Sequence, residues 1–294
     1  MTEPERADGR AEPGGPAPLV VVVGAGHLGR AVLMRLLTAG HPAGRLCAVT
    51  RTAEQARLLA DRCSCQVTVD SGTAADGADV LVLTVRPEQA RAVLARTAPR
   101  LAEGAAVVSF VAGLSLAGLR EVVGTRVHCL RAATNAVSVG RGGTVALTPD
   151  PELSATDGER LASLLSALGT VVRVPEAQQD MAASTLGSGA AFLAAAAAGV
   201  VAAADAVGVE GHTARLFAAD ALESAAVLIR RAEHTGQPVW HELATPGGIT
   251  RAGLDVLRAH GIDSALAEAV AAAVARAAEL SAAAERNYRL RTGN

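Results

Sequence analysis

Six residues near the start of the chain have the types and spacing that most clearly suggest chemistry. The run Gly24-Ala25-Gly26-His27-Leu28-Gly29 directly follows the apolar residues 19–23 and opens a segment with helical spacing. Glycines there allow a tight turn and close approach of the backbone to a phosphate, and the helix start offers unpaired N–H groups and positive dipole charge. The run predicts a dinucleotide site with these contacts: Gly24, Gly26, His27, Leu28 and Gly29.

The end of the second apolar run, residues 46–50, indicates which dinucleotide binds. The chain continues there as Thr50-Arg51-Thr52, without a carboxylate. An acidic side chain would accept hydrogen bonds from a ribose 2′-hydroxyl and repel a 2′-phosphate, whereas arginine meets a phosphate through two parallel hydrogen bonds. The sequence predicts NADPH rather than NADH, held by Thr50, Arg51 and Thr52. The alternative is that Arg51 is a solvated cation at a helix entry.

The elements that would position these residues alternate from residue 18 to about residue 174. Short apolar runs are separated by segments with helical spacing, which is typical of βαβ units and a parallel sheet covered on both faces. From residue 178 to residue 288 the sequence is almost wholly helix-forming, with breaks at 187–189, 208–211, 236–238, 246–248 and Gly261. This predicts an α/β fold, with a disordered tail (1–16), an N-terminal Rossmann-type doubly wound sheet (17–176) and a C-terminal all-α domain (177–294).

Composition excludes several classes of function. The net charge of −2 and only five aromatic residues disfavour a nucleic-acid surface. All 27 basic residues are arginine, so chemistry that needs a lysine, such as Schiff-base formation, is excluded. The four cysteines follow no zinc-site spacing, and no metal site is predicted.

The apolar runs and the first residues of the chain indicate where in the cell the protein is expected to act. No apolar run reaches the roughly 18 uninterrupted residues that a membrane span needs, and the first residues lack the basic-then-apolar order of a signal peptide. We therefore expect a cytoplasmic protein with no membrane partner.

Further motifs lie at other strand ends and helix breaks, and together they resemble a known family. They are Thr84-Val85-Arg86-Pro87, Thr134-Asn135-Ala136-Val137, residues 186–192 and Thr245-Pro246-Gly247-Gly248-Ile249-Thr250. This constellation resembles pyrroline-5-carboxylate reductase, which reduces a five-membered cyclic imine acid to proline with NAD(P)H. The most specific resemblance is the last motif followed by residues 252–254 and 261–266, similar to the family's S-P-G-G-T-T and G-G-F-R-S-A-L segments.

The resemblance implies roles for individual residues. Thr250 takes the place of the threonine that hydrogen-bonds the substrate ring nitrogen and is the expected catalytic residue. The substrate carboxylate is expected to meet Thr245, Gly247, Gly248 and Ile249. Asn135 matches an asparagine beside the nicotinamide and substrate, and the expected cofactor contacts extend to Thr84, Val85 and Arg86. The family also implies a helical domain that dimerises by interleaving, so the expected partners are a cyclic imine and a second copy of the chain.

Departures from the family pattern leave the substrate open. Ala136-Val137 replaces Thr-Pro, and Leu186-Gly187-Ser188-Gly189-Ala190-Ala191-Phe192 lacks a serine, a proline and a tyrosine hydroxyl of the family segment. One alternative is an imine reductase acting on a different cyclic imine in specialised metabolism. A second is a nucleotide-binding homologue without catalytic activity.

Overall fold

The computed structural model describes residues 17–231, Trp240 and residues 243–292. The predicted tail over residues 1–16 and the predicted break at residues 236–238 lie outside this part of the chain. The described residues up to Arg173 contain one eight-stranded sheet, and its strands lie in the order β3-β2-β1-β4-β5-β6-β7-β8. Its strands are β1 (Val20–Val23), β2 (Leu46–Val49), β3 (Gln66–Thr68), β4 (Val80–Leu83), β5 (Ala106–Ser109), β6 (His128–Ala133), β7 (Thr144–Thr148) and β8 (Thr170–Arg173).

Helices cover both faces of this sheet, as the sequence predicts. The four valines of β1 are all buried and alternate between the two cores, because successive side chains of a strand point to opposite faces. One core contains side chains of α1, α2, α6 and α7, and the other contains side chains of α4 and α5. The helices of this part are α1 (His27–Thr38), α2 (Ala53–Ala60), α3 (Ser71–Ala74), α4 (Pro87–Thr97), α5 (Leu116–Val123), α6 (Ala136–Gly140) and α7 (Ala155–Ser166).

Two features of the sheet differ from the expectation. β3 was not predicted, because it has three residues, begins with an exposed glutamine and pairs with β2 alone at the sheet edge. β7 runs antiparallel to β6, although the prediction was a parallel sheet. The connection from Ala133 to Thr144 contains only the short helix α6, and a parallel crossover needs a dozen or more residues.

Beyond Arg173 every regular element in the described residues is a helix. These are α8 (Glu176–Ala206), α9 (Gly211–Arg231), α10 (Ile249–Ala259) and α11 (Ile262–Thr292), and α11 packs against α4 and α8. The breaks expected at Gly208 and Gly261 are present, and both glycines have positive φ.

The break predicted at residues 187–189 is wrong, because α8 is continuous through it. A glycine inside a helix costs only about 1 kcal/mol relative to alanine, and the surrounding alanines are the best helix formers. No neighbouring element approaches Gly187 or Gly189 within 4 Å of an added Cβ.

The helical part leaves much apolar surface uncovered in a single chain. α8 is long and apolar enough to cross a membrane by length and composition, with a mean hydropathy of 1.8 and none of that window buried. This helix was not predicted as a candidate span because glycine and serine residues interrupt its apolar run. Large apolar side chains on the other helices are exposed as well: Phe217 (59%), Ile249 (94%) and Val256 (59%). Such a surface requires cover from another molecule.

Buried polar contacts fix the start of α8 on the sheet. Arg131 on β6 is only 4% exposed and pairs with Glu176 at 2.9 Å and with Asp180. On the neighbouring strand β7, the Thr148 hydroxyl donates to the side-chain oxygen of Gln179, a fully buried residue in the first turns of α8, at 2.9 Å. These contacts set the direction in which the long helix leaves the sheet.

A second buried ion pair, between Asp150 and Arg120, leads to a stability prediction. Burial alone would raise the pKa of Asp150, but N–H donors of Glu152 and Cys129 and the Arg120 guanidinium lower it overall. A lowered pKa means that the pair stabilises the fold above pH 4, near the unfolded value, and that this stability is lost as pH falls through the folded pKa.

We expect Asp150→Asn to lower the free energy of unfolding at pH 7 by about 2–3 kcal/mol, because it leaves Arg120 without its buried partner. The difference from the parent should shrink below pH 4, as measured by urea unfolding at several pH values. Glu152→Gln is the matched control: its carboxylate is 78% exposed and 3.9 Å from Arg120, so its effect should stay below about 0.5 kcal/mol. Equal losses from both variants would contradict the assignment.

Candidate functional site

The glycine turn after β1 has a backbone shape that requires its glycines. Gly24 has φ +98°, and a Cβ added there would lie 2.8 Å from the Thr84 carbonyl carbon. The N–H groups of Gly24 and Ala25 both donate to the Val49 carbonyl, at 3.0 and 3.1 Å. The turn is therefore held between the ends of β1, β2 and β4, where the strand order diverges and α/β proteins bind their ligands.

The N-terminus of α1 is open toward solvent. Gly26 is the N-cap and provides no side-chain cap, and the first turn has no acidic residue. A Cβ on Gly29 would lie 2.5 Å from the Gly24 carbonyl oxygen, so this glycine permits the close contact between helix and turn. His27 is exposed, whereas Leu28 packs against the sheet core. The first-turn N–H groups can therefore receive an anion, and Leu28 offers its backbone rather than its side chain.

The segment after β2 places its three residues differently. Arg51 is exposed and makes no hydrogen bond or ion pair with another described residue. Thr50 is buried, and its hydroxyl donates to the Thr52 carbonyl at 3.1 Å. The Thr52 hydroxyl accepts from the Gln55 N–H at 3.3 Å and caps α2. Arg51 is thus the cation of the segment that is free to bind a ligand, whereas the hydroxyls of Thr50 and Thr52 hold the backbone of the segment in place.

The segment after β4 braces the glycine turn. The Thr84 hydroxyl lies 2.9 Å from the Gly24 carbonyl oxygen and 3.1 Å from that of Val23, so it donates to the turn. Val85 contacts the position where Gly24 would carry a Cβ. Arg86 is exposed and forms the N-cap residue of α4, ahead of Pro87.

These segments enclose a cleft of about 840 Å³. Five arginines line it, and none makes an ion pair with another described residue: Arg30, Arg51, Arg62, Arg86 and Arg96. Glu88 is the one acidic residue of the lining. Five cations around one cleft with a single carboxylate favour a ligand that carries several negative charges.

Seven of the predicted cofactor residues line this cleft, and four do not. Gly24, Gly26, Thr50, Arg51, Thr84, Val85 and Arg86 line it, whereas His27, Leu28, Gly29 and Thr52 lie next to it. Three further arginines of the lining were not predicted from the sequence: Arg30, Arg62 and Arg96. Arg96 could have been found from helical spacing, because Gln89, Ala92, Val93 and Arg96 share one face of α4.

A second group of predicted residues lies in the turn before α10. Gly247 has φ +72°, and the Gly248 N–H donates to the Thr245 carbonyl at 3.0 Å. A Cβ on Gly248 would lie 2.5 Å from the Thr245 hydroxyl oxygen. Gly248 is the N-cap of α10 without a side-chain cap, and Thr245, Ile249 and Thr250 are exposed. The turn presents N–H donors and a hydroxyl to whatever covers it.

The two groups are not brought together within one chain. Every described residue that lines the cleft lies between Val23 and Arg96. Asn135 belongs to neither group: its side-chain oxygen accepts from the Ser138 N–H at 2.8 Å, and its amide nitrogen donates to the Leu186 carbonyl at 2.6 Å. In a single chain Asn135 therefore ties α6 to the middle of α8.

Two regions of the chain match known families. Residues 19–113 match the family described as NADP oxidoreductase, coenzyme F420-dependent. Residues 176–280 match the family described as pyrroline-5-carboxylate reductase dimerisation. The second region starts at α8 and includes the turn before α10, so the exposed apolar helices coincide with a homo-oligomerisation domain.

Individual proteins match almost the whole chain. Pyrroline-5-carboxylate reductase of Pseudomonas aeruginosa is 28% identical over 265 residues, which cover 90% of this chain and 97% of that protein. Pyrroline-5-carboxylate reductase 3 of Macaca fascicularis is 29% identical, with coverage of 88% and 94%. The structure of a pyrroline-5-carboxylate reductase from Coxiella burnetii superposes with a TM-score of 0.78 at 27% identity, covering 90% of this chain and 99% of that one.

Proposed function

We propose that the chain is a member of the pyrroline-5-carboxylate reductase family and reduces the C=N bond of a small cyclic imine acid with NADPH, as in the conversion of pyrroline-5-carboxylate to proline. The match of residues 176–280 to that family's dimerisation region and the relative that is 28% identical over 90% of the chain support this assignment. The cleft with five unpaired arginines below a glycine turn is the main support for this proposal. It combines a phosphate cradle with cations at the end of β2, where a ribose-binding carboxylate is absent.

The residues present fit NADPH. Gly24 and Gly29 stand where a Cβ would collide with the protein's own backbone, so they allow the turn to pack tightly against Thr84 and α1. The open N-terminus of α1 suits a pyrophosphate. Arg51 would meet the 2′-phosphate, and Arg62 adds a further positive charge to the lining of the same cleft. When bound, NADPH supplies the hydride that the imine carbon takes up.

The turn before α10 would hold the imine acid. Its Pro-Gly-Gly segment places N–H groups at a helix start without intervening side chains, which suits a carboxylate. The Thr250 hydroxyl would hydrogen-bond the ring nitrogen and favour its protonated form as hydride arrives. Catalysis would then come mainly from positioning and electrostatics, and water or the protonated imine would supply the proton.

We infer that a second copy of the chain brings the two groups together. In one chain the turn before α10 is exposed and contributes nothing to the cleft, and the adjoining helices leave apolar side chains uncovered. This division corresponds to a cofactor domain over residues 17–176 and a dimerisation and substrate domain over residues 177–294. All four cysteines are free thiols, which agrees with action in the cytoplasm.

The dimer is expected to be obligate, because helices this rich in alanine have few large side chains with which to close a core alone. Sedimentation of the purified protein at micromolar concentration measures this. A stable folded monomer at that concentration would remove the proposed meeting of two chains at one active site.

NADPH oxidation with a panel of cyclic imines tests the activity itself. Turnover of pyrroline-5-carboxylate above all other imines would support the proposed substrate. Ala136-Val137 and Phe192 depart from the family pattern, and they favour a different ring as the second candidate. Cofactor binding without turnover of any imine would identify a nucleotide-binding homologue instead.

Cofactor preference should depend on Arg51, the free cation after β2. We expect Arg51→Ala to weaken NADPH binding by about 1.5–3 kcal/mol, the range for a charge-assisted hydrogen bond, and to leave NADH binding nearly unchanged. Titration of both cofactors by fluorescence measures the difference. Arg57→Ala is the matched control, since Arg57 is exposed on α2 and does not line the cleft. Equal weakening of NADPH and NADH by Arg51→Ala would refute the phosphate role.

A further inference from the structure

Two cysteines lie in the turn between α2 and β3. Cys63 follows the end of α2, and its N–H donates to the Leu59 carbonyl at 3.1 Å. Cys65 precedes β3, is 9% exposed and belongs to the core cluster that contains Leu59. Cys63 is half-buried, so it is the more accessible thiol of the pair.

The two sulfurs are already in contact. The Cys65 Sγ donates to the Cys63 Sγ across 3.3 Å. A disulfide bond is about 2.05 Å long, so the sulfurs need to approach by little more than about 1 Å. Burial raises the pKa of the Cys65 thiol to about 12. Cys65 therefore keeps its proton, and Cys63, the more exposed thiol, is the one that a reagent in solution reaches first.

The pair adjoins the cofactor cleft. Leu59 and Arg62 both line the cleft, and Arg62 directly precedes Cys63 in the chain. Arg51, which is proposed to bind the 2′-phosphate, lines the same cleft from the segment before α2. Any change in the backbone between Arg62 and Cys65 therefore moves part of the cofactor site.

We propose that Cys63 and Cys65 form a redox-sensitive dithiol site that a hydroperoxide oxidises to a disulfide, and that ring closure displaces Arg62 and weakens NADPH binding. The effect on NADPH rests on the proposed function, whereas the thiol chemistry does not. Intracellular disulfides of this kind are usually transient and redox-sensing.

The reaction balances with hydrogen peroxide as oxidant. The Cys63 thiolate attacks one peroxide oxygen, the O–O bond breaks, and hydroxide leaves and is protonated to water, which gives a sulfenic acid on Cys63. The Cys65 sulfur then attacks the Cys63 sulfur, the S–O bond breaks, and a second water leaves with the Cys65 proton. The two thiols lose two electrons and two protons in total, and the peroxide is reduced to two waters.

Limited peroxide treatment of the reduced full-length protein, followed by thiol alkylation and mass spectrometry, tests the chemistry. Cleavage after Arg62 gives a peptide that carries both cysteines, and we expect this peptide to lose two hydrogens while Cys47 and Cys129 remain alkylated. Cys65→Ser should accumulate a sulfenic acid on Cys63 that dimedone traps, whereas Cys63→Ser should not react. Retention of both thiols in the parent protein, or trapping on Cys65 in Cys63→Ser, would overturn the proposal.

NADPH titration of reduced, oxidised and re-reduced protein tests the coupling. The oxidised protein should bind NADPH about tenfold more weakly, equivalent to about 1.4 kcal/mol, and a thiol reductant should restore binding. Cys63→Ser should be insensitive to peroxide, and Cys129→Ser, which changes a buried cysteine outside the pair, should behave as the parent does. If the disulfide formed but the affinity for NADPH did not change, the proposed link between cysteine oxidation and NADPH binding would be overturned. Reduced protein with no affinity for NADPH would instead refute the proposed function, while the thiol measurements still decide whether the dithiol site exists.

Discussion

Thr250→Val should lower kcat and kcat/KM together by about 10² or more, the range seen when a transition-state hydrogen-bond donor is removed. Thr250 is the second residue of α10, exposed beside the Pro-Gly-Gly turn. Its hydroxyl is proposed to favour the iminium nitrogen as hydride arrives, an interaction stronger in the transition state than in the ground state. Steady-state kinetics with the best imine of the panel measure the change.

Valine keeps the branched shape of threonine, so the fold, the dimer and NADPH affinity should stay intact in this variant. Thr156→Val is the matched control, because Thr156 is likewise an exposed second residue of a helix, α7. That control should turn over at the parent rate. If Thr250→Val also retained the parent rate, Thr250 would be structural and positioning by other groups would carry the reaction.

Gly24→Ala should destabilise the protein by about 3 kcal/mol, since a non-glycine residue at positive φ costs about 1–3 kcal/mol and the methyl group adds a backbone collision. The added Cβ lies 2.8 Å from the Thr84 carbonyl carbon and from the Val85 Cγ1, and the backbone there directly follows the buried strand β4. The turn must shift to relieve the collision, so we expect NADPH binding to weaken by about 10² as the N–H groups of α1 lose their alignment. Urea unfolding and cofactor titration measure the two effects.

Gly26→Ala separates stability from binding in the same turn. Gly26 has φ −74°, and the nearest atom to its added Cβ is 3.9 Å away. The free energy of unfolding of the Gly26→Ala variant should differ from that of the parent by less than about 1 kcal/mol. The added methyl group should nevertheless obstruct the pyrophosphate and weaken NADPH binding. Equal destabilisation by both variants would show that the two glycines are not distinguished by backbone shape.

Local sequence determined the elements that form the cleft at the ends of β1, β2 and β4. The valines of β1 bury both faces of a central strand, the glycines that follow require an unusual turn, and Arg51 stands at the next strand end. Each of these features depends on residues adjacent in the chain, so periodicity and residue type were sufficient to predict them. The same holds for the helix breaks at Gly208 and Gly261, where positive φ ends a helix locally.

Tertiary structure decided what depends on residues distant in the chain. The edge strand β3 forms only because β2 offers free backbone groups, and β7 reverses direction only because its connection to β6 is short. Helix α8 runs through Gly187 and Gly189 because no neighbouring element demands a break there. Arg30 comes from α1, Arg96 from α4 and Arg62 from the turn after α2, and they meet only around the folded cleft.

The functional residues divide along the same line. The residue pattern by itself predicted a dinucleotide site at the glycine turn, and the family resemblance predicted a substrate site at the turn before α10. Both predictions were possible because each turn is a short run of consecutive residues. Only the fold shows that the Asn135 side chain hydrogen-bonds Ser138 and Leu186. Only the fold shows that Thr250 does not line the cleft of its own chain. Hydrogen-bond partners and distances between turns are set by packing between elements, which no local pattern of residues encodes.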